Sequence, residues 1–338
     1  MPTVPLVKSL DAKLARIRAD RSCRDFILAD AKDADMGLGI AAPGASGQAR
    51  HPFRSLSEYR DLMREIVRQG LVDIMLMSPS SCELLAIDER LFEHSSVTPA
   101  ARANDATDIW LGQSGIYATQ PSRPFRSATI AQIQHGSAPS ARSPATVDLG
   151  LYSLTLNNDA GLDRDSLERY RQFRGLAEPA GLRHFLEVFA PNAASNPIAD
   201  VPRFVNDSIA RLLAGVVRSA RPVFLKMPYF GPSALESLCH YDPSLIVGVL
   251  GGAAGTTHDA FRLVEQAKKY GARAALFGRK INQAEDQLSL VGFLRAVADD
   301  QILPADATRA YHAELQRSGI SPHRSLTDDL QLTDPTLQ

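Results

Sequence analysis

The chain has 338 residues, 44% of them hydrophobic and 22% charged, and its formal net charge is −1. That length suits one large domain or two ordinary ones, with enough apolar residues for a sizeable core. The near-neutral balance excludes the basic excess of a nucleic-acid or anionic-membrane binder, so neither partner is expected.

Cys23, Cys82 and Cys239 are scattered, form no CxxC pair and suit a reducing compartment. The charged N-terminus lacks a secretory apolar region, and no apolar run approaches the ~18 residues of a membrane helix. The expectation is a cytoplasmic, enzyme-sized protein.

Residues 1–24 read as a helical N-terminal extension. From there, apolar strand-like runs alternate with amphipathic helix-like runs. The first strand is predicted at 25–31, then a Gly- and Ala-rich loop at 37–47 and a helix at 56–69. The second strand is placed at 72–77, with a short helix after Ser80. The third is placed at 108–111, around Trp110, the only tryptophan. A polar region at 113–145, rich in Ser, Pro, Arg and Gln, reads as a loop insertion or lid with an extra hairpin at 129–134. The fourth strand is expected at 147–154 and its helix at 163–176. The fifth is expected at 184–189, with a helix at 201–219. The sixth spans 223–228, with a short helix at 232–239. The seventh spans 245–250, with a helix at 258–270, and the eighth 274–277, with a helix at 286–299. Residues 301–338 read as a C-terminal helix and a polar tail, loose from Ser318 or crossing to a partner subunit.

Eight such units over residues 25–300 predict an α/β fold, a single-domain (β/α)8 TIM barrel with a long insertion after the third strand. A doubly wound open sheet is the competitor. It has fewer strands and carries its phosphate loop after the first.

The sixth run, Pro222-Val223-Phe224-Leu225-Lys226-Met227-Pro228-Tyr229, has a lysine at its centre. Burying an ammonium group costs several kcal/mol unless it is paired or gives up its proton. The strand alone leaves two readings open: a structural ion pair, or an amine nucleophile that condenses with carbonyls. Side chains alternate along a strand. Lys226 shares a face with Phe224, Glu187 with Phe185 and Phe189, and Asp30 with Leu28 and Lys32. These faces are taken as inward, which brings three titratable groups to the C-terminal ends of strands, where barrels hold their active residues. Singly, Glu187 could pair Arg183 or His184, and Asp30 could cap a turn.

Gly251-Gly252-Ala253-Ala254-Gly255 follows the seventh strand, and Gly278-Arg279-Lys280 ends the eighth. Glycines let backbone N–H groups approach an anion, Arg279 adds a bidentate donor, and these two loops are the usual phosphate cradle of such barrels.

The order of these signals is Asp30, Leu186-Glu187, Leu225-Lys226 followed by Pro228, Gly251-Gly252 and Gly278-Arg279. It resembles the class I, Schiff-base aldolases of the tagatose-bisphosphate and archaeal-type fructose-bisphosphate aldolase superfamily, which includes deoxyribose-phosphate aldolase. The resemblance covers most of residues 25–299. It implies a metal-independent lyase that needs no cofactor. Such an enzyme makes or breaks a C–C bond of a phosphorylated sugar or related keto compound, and is a homo-oligomer. It implies that Lys226, kept uncharged by its strand and nearby cations, forms the Schiff base and that Glu187 is the general acid/base. Asp30 would handle a substrate hydroxyl or the lysine's proton. Gly251, Gly252, Gly278 and Arg279 would hold phosphate. The family's fourth-strand lysine is missing: the comparable place holds Asp148. Tyr152, of the same parity, is an alternative proton donor, and Lys32 an alternative positive charge.

Gly37-Leu38-Gly39-Ile40-Ala41-Ala42 matches GxGxxA but lacks a helix directly after it. The eight histidines show neither HExxH nor close pairs, Asp33 and Asp35 read as a solvated turn, and SPSS at 78–81 has no hydrolase context. Two other functions fit the same features: a phosphosugar isomerase or epimerase using Glu187 and Asp30 without a covalent intermediate, and a non-catalytic phosphometabolite-binding barrel.

Overall fold

Eight parallel strands close into a ring in the computed structural model, which describes residues 7–20, 22–111, 114–137, 145–252 and 255–338. They are β1 (Ile27–Lys32), β2 (Ile74–Met77), β3 (Thr98–Arg102), β4 (Leu149–Thr155), β5 (Arg183–Phe189), β6 (Leu225–Met227), β7 (Val247–Leu250) and β8 (Ala274–Phe277). The ring closes where β1 pairs with both β2 and β8, so that Asp30 lies between Met75 and Phe277. A closed sheet leaves no edge strand. The predicted (β/α)8 barrel is the fold observed.

Two apolar cores result from the alternation of side chains. Ile27, Ala29, Ala31, Ile74, Leu76, Ala100, Leu149, Leu151, Phe185, Phe224, Ala274 and Leu276 fill the inside of the ring. Leu28, Met75, Met77, Ala101, Leu154, Leu186, Leu225, Val249 and Phe277 face outward against the helices. The helix Ser9–Ala19 crosses the N-terminal end of the ring, and its Leu10, Leu14 and Ile17 join the inner core. That end is thereby plugged by apolar side chains.

The helices follow the amphipathic runs, except that the one predicted at 201–219 ends at Ala214. Leu56–Gln69 starts where expected because Ser55 and Glu58 form a capping box, and it stops at Gly70 in the left-handed region (φ 73°). Thr256 and Asp259 cap Thr257–Lys269 in the same way.

Three expectations are corrected. The third strand is Thr98–Arg102, not 108–111, which forms turns. Its sequence, Thr-Pro-Ala-Ala-Arg, carries a proline and small residues that argue against a strand when read in isolation. The predicted hairpin at 129–134 is a helix, Ile130–His135, with a Thr129–Gln132 capping box. The hairpin of this region joins Asp105–Ala106 to Pro124–Phe125. The insertion therefore begins directly after β3. Residues 112–113 and 138–144 of it, including Gln113, lie outside the described residues.

The tail from Ser318 is docked rather than loose. Beyond the helix Pro304–Arg317 it packs on the start of Thr257–Lys269. Asp329 accepts a hydrogen bond from the Thr257 N–H (2.7 Å), and Gln331 accepts one from the Thr256 hydroxyl (2.7 Å). Thr333 N–H donates to Asp259 at 2.9 Å. Among the described residues no helix is long and apolar enough to cross a membrane.

Candidate active site

The inward side chains at the C-terminal ends of the strands form a row of alternating charge. Lys226 on β6 lies beside Glu187 on β5 in register, and Glu187 lies beside Ser153 on β4. The Lys226 Nζ is 2.6 Å from Glu187 Oε1, an ion pair in which Lys226 is 7% exposed and Glu187 1%. Ser153 Oγ donates to Glu187 Oε2 at 2.5 Å. Arg102, at the end of β3, reaches Glu187 Oε2 at 3.9 Å and donates to Asp33 at 2.7 Å and to Ser153 Oγ at 3.2 Å. Asp33, Arg102, Glu187 and Lys226 thus run minus, plus, minus, plus around one side of the mouth. Buried charges persist only when paired and hydrogen-bonded, and each member of the row has such a neighbour.

The row is rigid. Asn104 exchanges hydrogen bonds with the Ser153 backbone (2.7 and 2.8 Å), and Arg102 Nε donates to the Asn104 carbonyl at 3.0 Å. Burial works against the Arg102 charge, but the carboxylates of Asp33 and Glu187 outweigh it and hold the guanidinium above its usual range. Below the row, Phe185 and Phe224 stack inside the ring with centroids 4.6 Å apart. Gly248, next to Lys226 in register, adds no side chain beside the amine; a Cβ there would meet the Leu225 carbonyl at 2.6 Å.

Lys226 and Glu187 therefore stand inside the ring, as their parity predicts. The neighbours expected to be cations are different: the group nearest the amine is a carboxylate.

Asp30 and Lys32 do not face the cavity. They share the parity of Leu28, which packs outward. Both are fully buried behind the wall. The Lys32 ammonium lies 2.9 Å from Asp30 Oδ2, off the hydrogen-bonding direction, and donates to Oδ1 at 3.3 Å. Burial pushes the Asp30 carboxyl up and Lys32 opposes the shift. The error has a physical source: both faces of β1 are buried, so the hydrophobic pattern sets the alternation without saying which set points inward. Shifting the face by one residue makes Asp33 the inward group of this strand, in place of the solvated turn expected.

Tyr152 also points outward, against Tyr170 and Phe173 (centroids 5.1 and 4.7 Å), and burial drives its phenol far above the ordinary value. It cannot donate to a substrate at Lys226 from there. Asp148 pairs with Arg183 at 2.7 Å below the strand, away from the mouth. The cation that does stand in the row is Arg102, which the misplaced third strand concealed.

On the opposite side of the mouth, Gly251 N–H donates to the Leu276 carbonyl at 2.7 Å, and Gly252 has φ 71°, the left-handed region glycine favours. Ala253 and Ala254 lie outside the described residues. A Cβ at Gly278 would meet the Ala31 carbonyl at 2.8 Å. Arg279 is exposed and has no carboxylate partner among the described residues. Lys280, the last residue of that motif and given no role in the sequence reading, is buried and donates to the Gly255 carbonyl at 3.0 Å.

The insertion spans this mouth. Its Ile109 carbonyl lies against Gly37 in the loop after β1, and Asp108 accepts from Ser122 (2.8 Å) and from Thr155 at the end of β4 (3.0 Å). Asn192, after β5, donates to the Ala118 and Gln120 carbonyls.

Fold and site together define a parallel (β/α)8 barrel with a lysine–carboxylate pair inside its C-terminal end. No family model and no curated protein matches the chain. Solved structures do. A fructose-bisphosphate aldolase from Slackia heliotrinireducens superposes with a TM-score of 0.65 at 15% identity, over 89% of this chain and 89% of that one. An archaeal fructose 1,6-bisphosphate aldolase gives 0.58 at 15%, over 86% and 99%. A Schiff-base-forming fructose-1,6-bisphosphate aldolase gives 0.59 at 16%, over 87% and 100%. At these identities the likeness is one of fold, and it is the fold of the family that the motifs resemble.

Proposed function

We propose that the protein is a class I aldolase that makes or breaks a C–C bond of a phosphorylated sugar through a Schiff base on Lys226. The observation that carries this reading is the placement of Lys226 inside the ring, at the catalytic end, 2.6 Å from a carboxylate able to take its proton. The aldolase neighbours support it and make fructose 1,6-bisphosphate the first compound to assay.

Glu187 accepts a proton from the Lys226 ammonium, and the free amine adds to the substrate carbonyl. The Glu187 carboxyl returns the proton to the carbinolamine hydroxyl, water leaves, and a protonated imine remains. Glu187, again a carboxylate, removes the proton of the hydroxyl on the carbon beyond the breaking bond. That C–C bond cleaves, its electrons flow into the imine, and an aldehyde departs. The enamine is protonated on carbon, and water releases the ketone and the lysine. Ser153 and Arg102 hold Glu187 toward the amine, and Asp33 holds Arg102. The phosphate is assigned to Gly251, Gly252, Gly278 and Arg279, with Lys280 fixing the loop between them.

Borohydride reduction in the presence of dihydroxyacetone phosphate tests this. Intact mass is expected to rise by one reduced adduct, and peptide mapping to place it on Lys226. An unmodified protein that still turns over substrate would instead fit a non-covalent isomerase; ligand binding without turnover would fit a binding barrel.

A further inference from the structure

A separate cavity lies at the other end of the barrel. A cleft of about 1100 Å³ opens between the end of the helix Ser9–Ala19 and the segments that lead into β5, β6, β7 and β8. It is separate from the active site: Val223, on its wall, precedes Lys226 by three residues, about 10 Å along an extended strand.

Six arginines line it: Arg18, Arg174, Arg183, Arg218, Arg221 and Arg273. Two are neutralised. Arg183 pairs with Asp11 (2.5 Å) and Asp148 (2.7 Å), and Arg221 with Asp242 (2.8 Å). The other four have no carboxylate within 4.0 Å among the described residues. Arg273 donates only to the Lys268 and Ala272 carbonyls, and Arg18 only to the Val223 carbonyl at 3.4 Å. The Arg174 guanidinium sits 4.9 Å over the Tyr170 ring, and its buried Nε has no hydrogen-bond partner. An orphaned buried donor is costly, so the Arg174 side chain lacks the partners its own chain would be expected to provide. Glu178, exposed at the rim, is the one acidic side chain of the lining. His184 adds no positive charge, because burial, reinforced by Arg174, lowers it to about 3.

Like charges gathered without counter-charges repel, and a chain of net charge −1 had carboxylates to place among them. A single phosphate would engage one or two guanidinium forks and leave the rest of the cleft open. Several phosphoryl groups in line offer acceptors to all four arginines along the cleft. We infer that this cleft binds a linear polyphosphate group, of the kind carried by nucleoside di- and triphosphates, at a site independent of Lys226.

Calorimetric titration of the full chain with inorganic tripolyphosphate and with ATP tests this. One saturable site is expected for both, weakening as salt is raised. Tighter binding of ATP than of tripolyphosphate identifies a nucleotide as the ligand; equal binding identifies the phosphate chain alone. The exposed pair Arg18→Ser/Arg218→Ser is expected to weaken both at least tenfold. Arg164→Ser/Arg203→Ser, which removes the same charge from remote helix surfaces, is expected to leave binding intact, as is Lys226→Ala. Absence of a saturable site, equal weakening by the remote pair, or loss in Lys226→Ala would overturn the assignment.

Discussion

Two lysines in the barrel wall each face a carboxylate, yet their surroundings differ in the one respect that matters for chemistry. Lys226 and Glu187 point into the ring at its open end, and Glu187 is also held by Ser153, with Arg102 beyond. Lys32 and Asp30 sit at a similar height on β1 but point into the layer beneath the helix Leu56–Gln69, fully buried. Asp30 Oδ2 has no hydrogen bond there, and neither has the Tyr59 hydroxyl, which burial pushes up, with Asp35 and then Asp30 adding to the shift. The comparison teaches that a lysine in an apolar strand is not itself a signature of nucleophilic catalysis. The face it occupies decides whether a carbonyl can reach it.

The sharpest way to break this comparison is to exchange the lysines' fates. Lys226→Met is expected to abolish the borohydride adduct and to lower aldol cleavage on the order of a thousandfold or more, as loss of a covalent nucleophile does. Appearance of the adduct on Lys32 in that variant would end the distinction. Glu187→Gln keeps the shape and removes the base, and a fall of roughly 10²–10⁴-fold in kcat is expected, with slower adduct formation in single-turnover mass spectrometry. Lys32→Met, in contrast, is expected to cost about 3–5 kcal/mol of stability by stranding Asp30, with adduct formation per folded molecule unchanged. Adding Asp30→Leu is expected to restore most of the loss, read as recovery of the denaturant midpoint.

A titration without a counter-charge offers a smaller contrast. His184 meets Tyr170 at 2.8 Å, and burial lowers it to about 3 from an ordinary 6.5. The fold needs the neutral ring, so its contribution is complete above pH 6.5 and is lost as pH falls from there toward 3. At pH 5 the loss is about 2 kcal/mol. His184→Gln is expected to flatten the stability profile in that window, measured by urea unfolding at pH 7 and pH 5. The smallest effect is expected from Arg279→Ser, about a tenfold rise in KM with kcat retained.

The barrel was legible because seven of its eight strands are apolar runs that alternate in order with helices, and helix starts such as Ser55–Glu58 announce themselves locally. Lys226 and Glu187 were legible because a charge in an apolar strand is conspicuous. Arg102 was not: its strand is short, small-residued and broken by Pro99, so nothing marked it as wall. Asp33 was hidden by a different cause. Parity is a relative quantity, and a strand buried on both sides gives no absolute reference. Only the neighbouring strands, brought together by closure, settle which set of side chains looks inward. The docking of the tail has no local trace, because the Asp329 carboxylate and the backbone of Gln331 and Thr333 find their partners at the start of a helix 72 to 75 residues away in sequence.

The plug of Leu10, Leu14 and Ile17 has a kinetic corollary. With the base stoppered, the approach to Lys226 lies through the C-terminal mouth, where the segment bearing Trp110 reaches from the loop after β1 to the end of β4. Under the aldol cleavage proposed above, both fragments would leave by that mouth. The sole indole of the chain, 41% exposed beside Tyr117 and Phe125, sits where its emission would report each passage.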